Sequence, residues 1–344
     1  MDQTHSPKVL FAPASGPGVG GGHVMRDLAL AAALAAEGAQ CGFAVAEYGR
    51  GLIDRFGSPG LALLPRKDRP DALLEAARAF GAEVVVLDDY GLDARHAAPL
   101  MAAGLKLAVI DDLADRAYGC DLLIDPGHGR RAVDYAGKVP EACVLALGPA
   151  YALVRADVAE LARGREPAVR AQVERVFVSF GLSDIGMIAA RAVRVLRPLA
   201  PWARFDVALA GDASSLAALR AMAEGDAGVR VHADARDMAA LMAAADVAVG
   251  AGGSSTWERC ALGLPTLAAI VADNQREVIR RLADDGVLLA ADMAWAGFDD
   301  ALAAGFVELL AFETRERLAK ASRALCDGQG AARAASAILG LLSQ

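Results

Sequence analysis

Short apolar runs alternate with segments of helical periodicity along the whole chain. In the first half, the apolar runs have the length of buried strands and lie at residues 9–12, 41–46, 61–64, 84–87, 107–110, 122–124 and 144–147. Segments with helical spacing separate them near residues 23–37, 71–80 and 93–103. Strands that are apolar throughout and alternate with helices are typical of a parallel sheet with both faces covered.

The alternation restarts after residues 157–168, a stretch rich in charged and small residues that is typical of a connector. The second series predicts strands at 176–179, 205–210, 229–232, 247–250, 266–270 and 287–289, and helices at 185–196, 214–223, 238–244, 254–262, 275–284, 298–310 and 315–326, with a tail to residue 344. The pattern therefore predicts an α/β fold with two doubly wound Rossmann-like domains, residues 1–160 and 161–344, facing a central cleft. Ligands of such sheets bind beyond the carboxyl ends of the strands.

Composition supports a folded protein of this size. The chain has 344 residues, more than one compact core usually holds. It is 55% hydrophobic and 23% charged, which excludes an intrinsically disordered chain. The formal net charge of -8 argues against nucleic acid or an anionic membrane as a partner, because both select for basic surfaces.

The sequence gives no sign of export or of a redox role. It begins without the basic and apolar regions of a secretory signal, and no apolar run is long enough for a membrane span, so a cytoplasmic protein is expected. The five cysteines form no CxxC pair and are expected to be reduced core residues rather than metal ligands. No cofactor is predicted.

The first segment with candidate chemistry follows the first predicted strand and reads GPGVGGGHVMRDLALAAAL. Its glycines, among them Gly18, Gly21 and Gly22, allow the backbone to approach a ligand closely. The spacing fits a dinucleotide fingerprint poorly, and no Walker lysine is present. His23 opens the following helix, where the helix dipole favours the neutral, proton-accepting imidazole. It is therefore a candidate general base, and the alternative is a histidine that only caps the helix.

Two predicted strands run directly into paired aspartates. VVVLDDYG ends in Asp88, Asp89 and Tyr90, which are candidates to orient a water or to bind sugar hydroxyls. The alternative is an Asx turn in which Asp89 caps the next helix. VIDDLADR repeats the paired aspartates at residues 111 and 112. A divalent metal held by these carboxylates is the less favoured hypothesis.

The segment at residues 245–278 carries the strongest signal. A strand leads into a glycine-rich turn that includes Gly253, and then Ser254 and Ser255 open a helix, an arrangement that presents N–H groups and hydroxyls to a diphosphate. Glu258 lies one turn further and is a candidate to accept hydrogen bonds from ribose hydroxyls. The alternative is a capping box, because Ser255 and Glu258 have its spacing. Asn274 and Gln275 follow the next strand and are candidates to bind the sugar.

The chain contains, in sequence order, the motifs GGHVMRDLAL, LDDYG, DDLADR, GPAYALVR, SFGLSD and GSSTWERCALGLPT followed by DNQ. These motifs and their order resemble those of the UDP-2,4-diacetamido-2,4,6-trideoxy-β-L-altropyranose hydrolases of pseudaminic acid biosynthesis. The resemblance covers nearly the whole chain. The sequence is more loosely similar to the UDP-N-acetylglucosamine transferase of lipid II synthesis. Both families have the GT-B architecture.

The resemblance implies an inverting, metal-independent hydrolysis that releases UDP from a UDP-sugar, in a pathway that supplies surface or flagellin glycosylation. It implies that His23 is catalytic and that Tyr90 lines the same site. The GGHVMRDLAL motif would place Gly21, Gly22 and Arg26 at the substrate. Ser254, Ser255 and Glu258 would bind the nucleotide, and Asn274 and Gln275 the sugar. Other enzymes of the same sugar pathway are the partners that it suggests.

The chain departs from the resemblance at two places. Ala12 and Ala14 stand where relatives usually carry an arginine and an aspartate after the first strand, and Leu182 stands in the FGLSD turn where a glycine is usual. The exact sugar is therefore left open. A glycosyltransferase that uses the same donor and a non-catalytic nucleotide-sugar binder remain alternatives.

Overall fold

The structure is a computed structural model that describes residues 5–16, 19–66, 71–164, 166, 169–182 and 184–343. The chain divides into two compact units. Unit 1 consists of residues 1–156 together with 329–344, and unit 2 consists of residues 157–328.

Unit 1 is built on a parallel sheet whose helices follow its strands along the chain. Its elements are β1 (Lys8–Pro13), α1 (Gly22–Ala36), β2 (Gln40–Val45), α2 (Glu47–Phe56), β3 (Ala62–Pro65), α3 (Ala72–Phe80), β4 (Val84–Asp88), α4 (Ala94–Ala102), β5 (Lys106–Ile110), β6 (Leu122–Asp125) and β7 (Val144–Leu147). The strand order is β3-β2-β1-β4-β5-β6-β7. The order reverses between β1 and β4, so their carboxyl ends form the switch point where ligands bind in doubly wound sheets.

The core of unit 1 follows from the apolar strands. Leu10, Val85, Leu107 and Leu123 have no exposed surface, since helices cover both faces of the sheet. The last helix of the chain, Gly330–Gly340, also packs in this unit, where it contacts α1.

Unit 2 repeats the architecture on a second parallel sheet. Its elements are α5 (Ala156–Ala162, which begins at the last residue of the preceding segment), β8 (Arg175–Ser179), α6 (Ile188–Leu196), β9 (Arg204–Leu209), α7 (Leu216–Gly225), β10 (Val229–Ala233), α8 (Met238–Ala244), β11 (Val247–Ala251), α9 (Ser255–Ala261), β12 (Thr266–Ile270), α10 (Asp273–Asp284), β13 (Leu289–Asp292), α11 (Phe298–Leu310) and α12 (Phe312–Leu325). The terminal helix Gly330–Gly340 is α13. The strand order is β10-β9-β8-β11-β12-β13, with the switch point between β8 and β11.

Aromatic side chains fill much of the core of unit 2. The rings of Phe205 in β9 and Phe306 in α11 lie 6.1 Å apart, and neither is exposed. Arg315 is also buried, and its two terminal nitrogens donate to backbone oxygens, including that of Arg170 at 2.8 Å, whereas its Nε has no hydrogen-bond partner among the described residues. Within the described residues, every helix is too short or too polar to cross a bilayer.

The doubly wound α/β fold predicted from the sequence is confirmed, and each predicted strand has a counterpart. The predicted strand at 287–289 lies a few residues before the observed β13, Leu289–Asp292. The helix α2 was not predicted, and the predicted connector at 157–168 holds the short α5. The observed division also differs from the expected domains, because residues 329–344 group with unit 1 rather than with the second half.

Two glycines of α13 give a direct test of this docking. A Cβ at Gly330 would lie 2.2 Å from Ala152 O, whereas a Cβ at Gly340 would meet nothing within 4 Å. We expect Gly330→Ala to destabilise unit 1 by about 1–3 kcal/mol through overpacking. Gly340→Ala should stabilise it by about 0.5–1 kcal/mol, because alanine is the better helix former.

The three tryptophans lie in unit 2, so their fluorescence does not follow unit 1. Hydrogen exchange of the β1 and β4 amides, measured in the full chain, gives the opening free energy of unit 1. Equal effects of the two substitutions would contradict the tight packing at Gly330.

Candidate functional site

A histidine and an aspartate meet at the switch point of unit 1. β1 and β4 are neighbours, with Pro13 opposite Asp88 at their carboxyl ends. The loop after β1 leads into α1, whose second residue is His23. Its Nδ1 lies 2.7 Å from Asp88 Oδ1, and both residues are buried. In this arrangement, Nδ1–H donates to the carboxylate, which orients the ring and leaves Nε2 as the basic nitrogen.

Arg26 joins this pair to the next strand. Arg26 lies one turn after His23 in α1. The Nε of Arg26 donates to Asp88 Oδ2 at 2.6 Å, and its Nη2 donates to Asp88 Oδ1. Its Nη1 donates to Asp112 Oδ2, after β5, at 3.0 Å. Burial alone would raise the pKa of Asp88, but the charges of Arg26 and His23 outweigh it and hold that pKa well below its usual range. Asp88 is therefore an anion inside the fold.

Tyr90 completes the group. Its hydroxyl donates to Asp112 Oδ1 at 2.6 Å. Its ring stands edge-on to that of His23, with centroids 4.9 Å apart. We call His23, Arg26, Asp88, Tyr90 and Asp112 the histidine cluster. Because the carboxylate of Asp112 binds both Arg26 and Tyr90, it fixes the tyrosine relative to the imidazole.

Asp89 has a different role from its neighbour. Its Oδ1 accepts from Gly91 N at 2.8 Å, which is an Asx turn, and α4 is capped by Asp93 rather than by Asp89. Arg66, after β3, donates to Asp89 Oδ2 at 2.6 Å and to Pro13 O at 3.1 Å. Ala12 and Ala14 are buried. An arginine paired with an aspartate thus reaches the carboxyl end of β1 from the end of β3.

The first residue of the second aspartate pair, Asp111, belongs to an adjoining buried network. The Tyr135 hydroxyl lies 2.8 Å from Asp111 Oδ2 and 2.7 Å from Asp125 Oδ2. A phenol has one proton to donate, so Tyr135 can donate fully to only one of these two carboxyls at a time. Burial raises the pKa of Asp125, although Arg130 opposes this with a bond of 2.5 Å from Nε. Arg130 also donates to Asp112 O at 2.7 Å, which connects the network to the histidine cluster.

Asp27 follows Arg26 in α1 and is fully buried. Neither of its carboxylate oxygens has a hydrogen-bond partner among the described residues. Burial, together with the negative charge of Asp88, raises the pKa of Asp27 well above its ordinary value. Burial therefore favours the protonated form of Asp27, next to the anionic Asp88 of the histidine cluster.

In unit 2, the glycine-rich turn lies at the switch point between β8 and β11. A Cβ at Gly250 would lie 2.2 Å from Ser179 O, so only glycine fits there. The Gln275 side chain comes near Gly253, where a Cβ would be 3.8 Å from its Nε2. Its Oε1 accepts from Val271 N at 3.1 Å, which ties β12 to α10. The structure thus brings the predicted residues Gly253 and Gln275 together.

The α9 helix begins directly after this turn. Its N-cap residue is Ser254, and that side chain makes no capping bond within the described part of the chain. A capping box of Ser255 and Glu258 would need Ser255 at the N-cap, so that alternative is not the observed geometry. Ser255 is half-buried and Glu258 is buried on the same helix, while Asn274 is exposed at the start of α10.

Arg259 was not singled out by the sequence. Its guanidinium is buried, and Nη2 donates to Ala251 O at 2.8 Å and to Thr256 Oγ1 at 2.9 Å. Burial lowers the pKa of Arg259 to about 10. No distinct signal in the sequence marked it, because α9 already contains other polar residues such as Thr256 and Glu258. The Arg259 guanidinium stabilises the start of the glycine-rich turn through its hydrogen bond to Ala251 O.

The candidate residues therefore fall into two groups. His23, Arg26, Asp88 and Tyr90 form the cluster in unit 1, with Gly21 and Gly22 at the start of α1, and the remaining candidates lie in unit 2. Pro17, Gly18 and Ser183 lie outside the described residues. The FGLSD turn is held by Asp184, whose carboxylate accepts from Ala189 N and Ser215 N at 2.9 and 2.7 Å.

Comparisons with solved structures agree on the fold. The UDP-GlcNAc 2-epimerase of Neisseria meningitidis, bound to UDP-GlcNAc, has a TM-score of 0.67 at 11% identity, with 97% of this chain and all of that chain covered. MurG of Acinetobacter baumannii has a TM-score of 0.65 at 13% identity, covering 97% of this chain and 99% of the other. The protein accordingly has the GT-B fold that the sequence predicted.

The sequence comparison gives a more particular relative. The chain is 25% identical over 236 residues to the UDP-2,4-diacetamido-2,4,6-trideoxy-β-L-altropyranose hydrolase of Campylobacter jejuni, covering 68% of this chain and 81% of that protein. The resemblance stated from the motifs is thereby confirmed. No family model matches the chain.

The raised pKa of Asp27 predicts a gain in stability from Asp27→Asn. Above about pH 4, the unfolded chain releases this proton while the folded protein keeps it, so the wild type loses stability as the pH rises toward the folded pKa. Asparagine cannot ionise. We expect the substitution to raise the opening free energy of unit 1 by about 1 kcal/mol or more at pH 7, and by progressively less as the pH falls from 7 toward about 4.

Hydrogen exchange of the β1 and β4 amides at pH 7 and under acidic conditions provides the measurement. The control is the exposed Asp54→Asn in α2, expected to stay within about 0.5 kcal/mol at either pH. A gain that is the same at both pH values would show that the ionisation of Asp27 is not its cause.

Proposed function

We propose that the protein hydrolyses a UDP-linked 2,4-diacetamido-2,4,6-trideoxyhexose at its anomeric carbon and releases UDP, as a step of pseudaminic acid biosynthesis. The observation that carries the proposal is the His23–Asp88 pair at the switch point of unit 1. The similarity to the Campylobacter jejuni hydrolase supports this substrate class.

His23 is the proposed general base. With Nδ1–H donated to Asp88, Nε2 accepts the proton of a water molecule as the water oxygen bonds to the anomeric carbon. The bond between that carbon and the UDP oxygen breaks, and its electron pair leaves with UDP. Attack from the face opposite the leaving group inverts the configuration. A positioned base of this kind contributes roughly 10²–10⁴-fold to the rate.

The other members of the histidine cluster position this base. Asp88 stabilises the imidazolium that forms when His23 takes the proton, because its carboxylate is already anionic. Arg26 is held by two carboxylates, so in this proposal its main role is to fix Asp88 and Asp112. Tyr90 is held by Asp112 beside the imidazole and contacts the sugar.

Unit 2 is the proposed nucleotide-binding unit. The turn at Gly253 with Ser254 and Ser255 would donate to the diphosphate, and Glu258 would accept from the ribose hydroxyls. Asn274 and Gln275 would bind the sugar, with Gln275 already placed against the glycine-rich turn. The observed N-cap at Ser254 supports this assignment because its hydroxyl makes no capping bond within the described part of α9.

Incubation with UDP-2,4-diacetamido-2,4,6-trideoxy-β-L-altropyranose tests the proposal directly. We expect UDP to appear by chromatography without any added acceptor, and NMR of the fresh product should show the inverted anomer. UDP release that depends strictly on an acceptor hydroxyl would instead identify a glycosyltransferase. Binding by calorimetry without turnover would identify a nucleotide-sugar binder.

Replacement of the base should separate catalysis from nucleotide binding. His23→Asn keeps a donor toward Asp88 but removes the proton acceptor, so we expect kcat to fall by about 10²-fold or more. The affinity for UDP should be unchanged, since the proposed nucleotide site lies in unit 2.

His96→Asn is the matched control, because His96 also pairs with an aspartate of unit 1, Asp93, at 3.0 Å. This variant should retain the wild-type kcat. If His23→Asn also retained it, the base would lie elsewhere, and Tyr90 would be the next residue to replace.

A further inference from the structure

Two of the five cysteines, both in unit 1, are in direct contact. Cys143 immediately precedes β7, and Cys120 lies two residues before β6. These strands are paired, with Leu122 opposite Val144. The sulfur atoms of the two cysteines are 3.6 Å apart. Because bonded sulfurs lie about 2 Å apart, disulfide formation requires these sulfurs to approach by roughly a further 1.5 Å.

The two thiols differ in their surroundings. Cys120 is buried, while Cys143 is partly exposed. The contact between the two sulfurs lowers the pKa of Cys143 and, together with burial, raises that of Cys120. A partly exposed cysteine with a lowered pKa beside a second, buried thiol is the arrangement of a reactive cysteine with its resolving partner. Cys41, in contrast, is a buried cysteine of the same unit whose thiol contacts a backbone oxygen, and burial raises its pKa to about 12.

We propose that Cys143 and Cys120 form a peroxide-reactive dithiol that is converted to a disulfide. The Cys143 thiolate attacks one oxygen of hydrogen peroxide, the O–O bond breaks, and with one proton this gives a Cys143 sulfenic acid and water. The Cys120 sulfur then attacks the sulfenic sulfur, the S–O bond breaks, and the hydroxide leaves as a second water with the Cys120 proton. Two thiols are oxidised and one peroxide is reduced. This inference is independent of the proposed function.

The disulfide would close a loop of residues 121–142. That segment carries Asp125, Arg130 and Tyr135, the network that adjoins the histidine cluster. The two cysteines lie at the amino ends of β6 and β7. The loop that the disulfide would close extends to the carboxyl ends of the strands, at the other end of the sheet.

The test uses the reduced full-length protein exposed to hydrogen peroxide after removal of the reductant. The free-thiol titre in denaturant should fall from five to three. Non-reducing digestion with trypsin should yield a cross-link between the peptides 117–130 and 139–155, lighter than their sum by two hydrogen atoms. A titre that stays at five, or a cross-link between other cysteines, would overturn the proposal.

Single substitutions assign the roles of the two sulfurs. Cys120→Ser should accumulate a sulfenic acid that dimedone traps on Cys143, and Cys143→Ser should keep its remaining four thiols. The matched control Cys41→Ser should form the same cross-link as the wild type. A dimedone adduct on any cysteine other than Cys143 in Cys120→Ser would refute the assignment of Cys143 as the reactive thiol.

Discussion

The carboxylate of Asp88 is the charge on which the candidate site depends. An ionised carboxylate is costly to bury unless its oxygens are satisfied, and here His23 and Arg26 bind both of them. The cost of burial in turn holds the imidazole and the guanidinium in place, because either one leaving would expose an unpaired charge to an apolar interior. Arg26 extends the constraint to Asp112 and thereby to Tyr90. One buried anion thus fixes four other side chains that come from α1 and from the ends of β4 and β5.

Other acidic side chains lie close to this anion, and the pKa values of two of them move in the opposite direction. Burial is the largest cause that raises the pKa of Asp27 and that of Asp125, whereas the pKa of Asp88 is lowered. The carboxylate oxygens of Asp27 have no hydrogen-bond partner among the described residues, and Asp125 is bound by Arg130 through one oxygen. Asp88 differs from both because Arg26 binds both of its oxygens.

Much of this fold could be predicted because its strands are apolar on both faces, a signal that survives in a single sequence. The helix α2 was missed because two glycines and several charged residues obscure its apolar stripe. Among the site residues, His23, Asp88 and Tyr90 were identifiable at strand ends. Their mutual contacts were not, because these depend on β1 lying beside β4, and strand order is not encoded in local periodicity. Asp112 was noted only as one of two paired aspartates, because its role depends on contacts with Arg26 and Tyr90. Arg259 was missed although its partners, Ala251 and Thr256, are close to it in sequence.

The return of α13 to unit 1 has a consequence for how the chain folds during synthesis. Unit 2 is one continuous segment, so all of its contacts are available once residue 328 has left the ribosome. Unit 1 is discontinuous, and the groove beside α1 stays uncovered until residues 330–340 emerge. Unit 2 is therefore an insertion that can complete its core first, while the unit that contains the histidine cluster is completed only when α13 has been made. A polypeptide that stops before Gly330 contains every candidate site residue and still lacks the helix that seals the unit bearing His23.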